Sequence, residues 1–206
     1  MTKIRKNPIT PAIIQKAENF DESLRHMEAL VRNKQNTILN EDESYLQLIK
    51  LNYHRMKRVY KTTRIHDELQ DEAINFPTPM TWIVITNPRC GDSAQSIPVM
   101  QKIAELNDKI QLKIIMRDEH LEVMDAYLTD GAKAIPKLIC LNADTLEELG
   151  TWGPRPEPMQ KLLKEHKNNP VLSKSEFSEM IQRKYLEDKT KTIQNEVLEL
   201  FKSWRR

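Results

Sequence analysis

Apolar residues in the first 77 positions recur at helical spacing, and from Met80 onward short apolar runs alternate with helical stripes. Ile13, Ala17, Phe20, Leu24, Met27 and Val31 stand four or three apart, which puts them on one helix face. Tyr45, Leu48, Ile49, Asn52, Met56 and Val59 repeat the pattern. They predict a second helix running to about Lys61, with Ser44 or Asp42 as its cap. A shorter helix is expected over Arg64 to Asn75, stopped by Pro77-Thr78-Pro79, which no helix traverses. That proline pair is the natural boundary of a helical region, residues 1–77.

The next segment, 78–168, reads as α/β. Trp82 to Thr86 is a strand with apolar residues on both faces, and Ile110 to Met116 is a second. Between them a helix is predicted from Asp92 or Ser93 to Asn107, with Pro98 in its early turns. His120 to Thr129 forms another helix, with Gly131 beyond its end. Lys137 to Asn142 and Leu146 to Trp152 flank the turn Asn142-Ala143-Asp144-Thr145 and read as a hairpin. A helix over Pro156 to Lys167 follows. The order β-α-β-α-β-β-α implies parallel strands first and an antiparallel pair after them.

The last segment, 169–206, opens on the capping box Ser173-Lys174-Ser175-Glu176. Phe177, Ile181 and Tyr185, then Ile193, Val197, Leu200, Phe201 and Trp204, predict a long amphipathic helix broken near Asp188. The terminal helices are the candidates for a homodimer contact.

Composition narrows the function classes. The net charge is only +2 although 30% of residues are charged, so no bias points to nucleic acid or to a membrane surface. Four glycines favour a helix-rich fold over a turn-rich sandwich. No apolar run approaches the roughly 20 residues of a membrane span, and the first 20 positions lack the apolar core of a signal peptide. Two cysteines, Cys90 and Cys140, do not make a disulfide framework. A cytoplasmic, reducing setting is expected. The histidines show no ligand spacing with each other or with the cysteines, so no metal and no cofactor is expected.

The chemistry concentrates at Cys90-Gly91-Asp92-Ser93. Here an apolar strand hands over to a helix, and the free N–H groups and dipole of a helix start favour the thiolate. Arg89 would add to that effect, while Asp92 would oppose it unless it caps the helix or faces solvent. Ser93 occupies the place where a second cysteine would complete a dithiol pair, so the chemistry is that of one thiol.

The whole order, with Gly131-Ala132-Lys133-Ala134-Ile135-Pro136-Lys137-Leu138 before the third strand, resembles the thioredoxin fold. More narrowly, the chain resembles bacterial thioredoxin-like proteins with a Cys-Gly-Asp active-site segment. Leu51-Asn52-Tyr53-His54-Arg55-Met56, Arg117-Asp118-Glu119 and Trp152-Gly153-Pro154-Arg155-Pro156 also resemble that group. The fold part covers about Met80 to Lys167, and the narrower likeness reaches back to about Tyr45. Two departures stand out: Arg89 replaces the usual Trp, and Ser93 the second cysteine, so dithiol reductase activity does not follow.

The resemblance implies a central mixed sheet, parallel strands plus a C-terminal hairpin, with helical extensions at both ends. It implies a cis Pro136 facing Cys90, with Ile135 offering its backbone to a disulfide-containing protein or small-thiol substrate. Arg117 belongs on the same sheet edge, where it would hold a substrate carboxylate or pair with Asp118 or Glu119. Trp152 and Arg155 are expected beside the same groove, Trp152 either as a substrate wall or as a seal on the core. Cys140 lies about 13 Å along its strand from Pro136, too far to bridge to Cys90, and reads as a core thiol. Three functions follow: single-cysteine thiol–disulfide exchange through Cys90, a catalytically silent binding module, or an iron–sulfur role like that of monothiol glutaredoxins. The last rests on Cys-Gly-x-Ser, and Asp92 in place of their aromatic weakens it.

Overall fold

The computed structural model describes residues 7–32 and 43–205. In it, strand β1 (Met80–Thr86) is flanked by β2 (Ile110–Met116) in parallel and by β3 (Lys137–Asn142) antiparallel, and β4 (Glu148–Trp152) closes the edge as a hairpin with β3. The sheet order is β2-β1-β3-β4. Every residue of β1 is buried, as its unbroken apolar run requires of a central strand covered on both faces.

The pleat sends alternate residues of β1 to two cores. Met80, Trp82 and Val84 join the larger one. There they pack with α2 (Phe20–Arg32), α3 (Glu43–Thr62), α5 (Gly91–Ala104) and α9 (Lys191–Trp204). Ile83 and Ile85 face the smaller core, with α1 (Pro11–Lys16) and α6 (Leu121–Ala126). The larger core takes Phe20 and Met56 from the first segment, Trp82 and Ile103 from the second, and Val197 and Phe201 from the third. The three segments read from the sequence therefore share one core. The apolar face of α9, including Ile193, Val197 and Phe201, is buried within the chain's own core. Cys140 is fully buried in that core, and burial pushes its thiol well up.

The first apolar stripe is two helices, not one. Asn19 Oδ1 accepts from the Glu22 N–H at 2.9 Å and Glu22 returns the bond to the Asn19 N–H at 2.7 Å, a reciprocal cap that starts α2 afresh. The intervening Glu18 exchanges backbone bonds with Ile114 at 3.0 and 2.7 Å and so covers the exposed edge of β2. Asp42 lies outside the described residues, and Ser44 sits within the first turn of α3. The short α4 (Asp67–Ile74) is capped by His66, whose ring accepts from the Leu69 N–H at 3.3 Å. Helix α6 stops early because Tyr127 turns inward, only 2% exposed. Gly131, at φ +75°, then serves a tight Thr129–Ala132 turn instead of the helix end.

Helix α7 (Glu157–Asn168) packs on α8 (Lys174–Asp188) through Met159, Phe177 and Ile181. The chain breaks between α8 and α9 at Lys189 and Thr190, both at positive φ. Asp188 there accepts from the Thr192 N–H at 3.2 Å and restarts the helix. The Ser173 capping box is formed on both sides. Ser173→Ala should cost about 1 kcal/mol, read as a lower urea midpoint with an unchanged slope.

Candidate active site

The site is set by the handover from β1 to α5. Asn87, Pro88 and Arg89 leave the strand, and the Cys90 N–H returns to Asn87 O at 2.9 Å. Cys90 is the N-cap of α5, which starts at Gly91, one or two residues before the predicted Asp92 or Ser93, and ends at Ala104 rather than Asn107. Its Sγ accepts from the Ser93 N–H at 3.4 Å, as a capping side chain should, and donates to Ile135 O at 3.4 Å. The Ile135–Pro136 bond is cis. Cys90, Ser93, Ile135 and Pro136 are thus brought together.

Gly153 closes the far side of that turn. A Cβ there would stand 2.3 Å from Pro136 O, and its φ is +111°, so only glycine fits. The Gly153–Pro154 bond is also cis, a feature the sequence reading did not anticipate.

An open groove of about 350 Å³ lies against the sulfur, lined by Asn87, Arg89, Cys90, Arg117 and Ile135. Arg89 reaches it as an exposed side chain, with its guanidinium 4.5 Å from the Tyr45 ring rather than at the sulfur. Arg117 Nε donates to Asp118 at 2.8 Å, the ion pair weighed above, and still borders the groove. Trp152 is 7% exposed and packs in the larger core, its Nε1 donating to Glu196 at 2.5 Å; it takes the sealing position, not a groove wall.

Asp92 neither faces solvent nor caps the helix. It is buried and paired with Arg155, whose Nε donates to Oδ2 at 3.2 Å while Nη2 makes a closer bond to the same oxygen. The Tyr185 hydroxyl of α8 donates to Oδ1 at 2.9 Å. Arg155 is therefore held beside Asp92, away from the groove's lining. Burial and then the Asp92 carboxylate push the Tyr185 hydroxyl well above its ordinary value.

The thiol responds to the same surroundings. Burial first, and the Asp92 carboxylate second, raise the Cys90 pKa above the ordinary thiol value, against the lowering by its bonds from Ser93 and Asp92. The helix start pulls in the predicted direction but is outweighed. The Ser93 hydroxyl is buried, makes no hydrogen bond of ordinary geometry, and acts on the sulfur in the direction that favours the anion.

Sequence reasoning missed the clamp from α3 and α8. Asn52, 1% exposed, donates to Pro88 O at 3.0 Å and accepts from Arg55 Nη1 at 3.0 Å, fixing the loop before Cys90. Gln182 of α8 accepts from Gln95 Nε2 at 2.8 Å and so ties α8 to the first turns of α5. The signal was a polar residue inside each apolar stripe, Asn52 in one and the hydroxyl of Tyr185 in the other. Among the described residues, no group of three His, Cys, Asp or Glu side chains is placed to hold a metal, and no helix is long and apolar enough to cross a membrane.

A parallel β1–β2 pair, an antiparallel hairpin, a cysteine at the start of the helix after β1 and a cis-proline opposite it make this a thioredoxin-like protein. The thioredoxin family model matches residues 38–167, more than half of the chain, and the chain belongs to that family. No curated protein matches the sequence. The fold is similar to a crystal structure of a Pseudomonas aeruginosa protein of unknown function, at 14% identity over 94% of this chain and 98% of that one, with a TM-score of 0.60. An HIV epitope-scaffold is similar at 12% identity, 93% and 96% coverage and the same TM-score. Both likenesses are of fold.

Proposed function

We propose that the protein carries out single-cysteine thiol–disulfide exchange through Cys90, in a reducing, cytoplasmic setting. The observation that carries this reading is the sulfur held 3.4 Å from Ile135 O, beside the cis Pro136, at the wall of an open groove. An extended disulfide substrate laid in that groove would pair with the Ile135 backbone, whose carbonyl the Cys90 thiol releases when it ionises. The Cys90 proton leaves to solvent, and the thiolate attacks one substrate sulfur. A Cys90–substrate S–S bond forms, the substrate S–S bond breaks, and its electron pair departs on the leaving thiolate, which takes up a proton. Ser93 donates to the sulfur anion but cannot resolve the mixed disulfide. An external thiol does so by attacking the substrate sulfur and returning Cys90 as thiolate. Arg117 and Arg89, at the rim, suit a substrate carboxylate.

A second reading, a binding module that uses the groove without covalent chemistry, is favoured by the raised thiol. Exchange with 2-hydroxyethyl disulfide at pH 8 separates the two. The expected result by intact mass is one adduct per chain on the wild type and on Cys140→Ala, none on Cys90→Ser, and release by added thiol. An unmodified wild-type chain, or an adduct that persists on Cys90→Ser, would sink the exchange reading.

A further inference from the structure

Where the ends of α3 and α8 meet α5 at Gln95, they and the residues after them border a cleft of about 480 Å³ whose wall includes Arg58, Thr63, Arg64, Tyr185 and Lys189. Three cations line it, and among the described residues no carboxylate does. The acids at the end of α8 are occupied elsewhere: Glu187 pairs with Lys184 at 2.9 Å and Asp188 binds the start of α9. Arg64 gives its Nη1 only to the backbone oxygens of Lys61 and Thr63, at 3.4 and 3.2 Å. Thr63 is 6% exposed, and its hydroxyl has no hydrogen-bond partner.

One turn along α3, Arg55 is half-buried and bonds only the neutral Asn52. Burial, and then the nearby Arg58 cation, lower its pKa. Like charges three residues apart on a helix repel, and a desolvated guanidinium without a carboxylate is costly. Lys184 on α8, and Lys202 and Arg205 at the end of α9, have carboxylate partners. Arg55 itself does not line the cleft; an anion there would supply countercharge to Arg58, Arg64 and Lys189.

We propose that this cleft binds a small polyanion, its phosphate or carboxylate groups taken by Arg58, Arg64 and Lys189. Guanidinium forks match both groups in bidentate geometry, and the volume falls within the range of about 300–1,000 Å³ usual for small-molecule sites. The site does not depend on thiol exchange, although Tyr185 touches both the cleft and Asp92.

Titration calorimetry of the full chain at low salt, with sodium pyrophosphate in one arm and citrate in the other, tests it. One anion should bind saturably per chain, and affinity should fall roughly tenfold or more in Arg58→Gln/Arg64→Gln and in Lys189→Gln. Lys50→Gln, which removes an exposed charge of α3 outside the cleft, should leave it unchanged. Tighter pyrophosphate identifies a phosphate-bearing ligand and tighter citrate a polycarboxylate; both support the site. Absence of saturable binding by either anion, equal binding by Arg58→Gln/Arg64→Gln, or an equal loss in Lys50→Gln would overturn it.

Discussion

Arg155→Met should lower the free energy of unfolding by about 3–5 kcal/mol, the largest loss expected from a single change near the site. The Arg155 and Asp92 side chains are only 16% and 12% exposed, so water can compensate little of either charge once its partner is gone. Methionine fills much of the volume but leaves the carboxylate with the Tyr185 hydroxyl alone. Replacing the carboxylate as well, in Asp92→Asn/Arg155→Met, should recover most of the loss, because the buried uncompensated charge is then gone. Urea denaturation of the four proteins in this cycle reads the coupling. A single variant within about 0.5 kcal/mol of the wild type would show that the pair is exposed in solution.

That pair explains why the site could be located but not fully read from the chain. The apolar run of β1 followed by Cys90 placed a thiol at a helix start, because strand burial and helix capping are local and leave a local pattern. Ile135–Pro136 was found through family likeness, not through spacing. Gly153 stood in a family-like motif, but why glycine is required there was not legible, since the contact that excludes a side chain comes from Pro136, seventeen residues earlier in the chain. The Asp92 carboxylate acts on the Cys90 thiol in the direction expected of a nearby negative charge. Its partners, Arg155 and Tyr185, are 63 and 93 positions away, and no periodicity links them to it. The one helix predicted at the N-terminus became two for a related reason: Glu18 pairs with the edge of β2, and only the assembled sheet offers that partner. Elements fixed by their own residues were legible; contacts between distant segments, which decide the electrostatics of Cys90, were not.

The second large effect concerns reactivity. Asp92→Asn keeps the shape and an oxygen for Arg155 and Tyr185 while removing the negative charge that opposes the thiolate. It also leaves the Arg155 cation, which interacts electrostatically with Cys90, without its carboxylate. Both changes favour the thiolate, so alkylation of Cys90 by iodoacetamide at pH 7.5 should run roughly tenfold faster than in the wild type. Circular dichroism and a melting curve would establish that the variant is folded before its rate is read.

The pH profile of Cys90 alkylation, followed by mass on the Cys140→Ala chain so that one thiol reports, tests the account most directly. Burial and Asp92 hold the sulfur as a thiol donating to Ile135 O, so the rate should still be climbing above about pH 8.5, the ordinary thiol value. A rate that has already levelled off by neutral pH would contradict that arrangement.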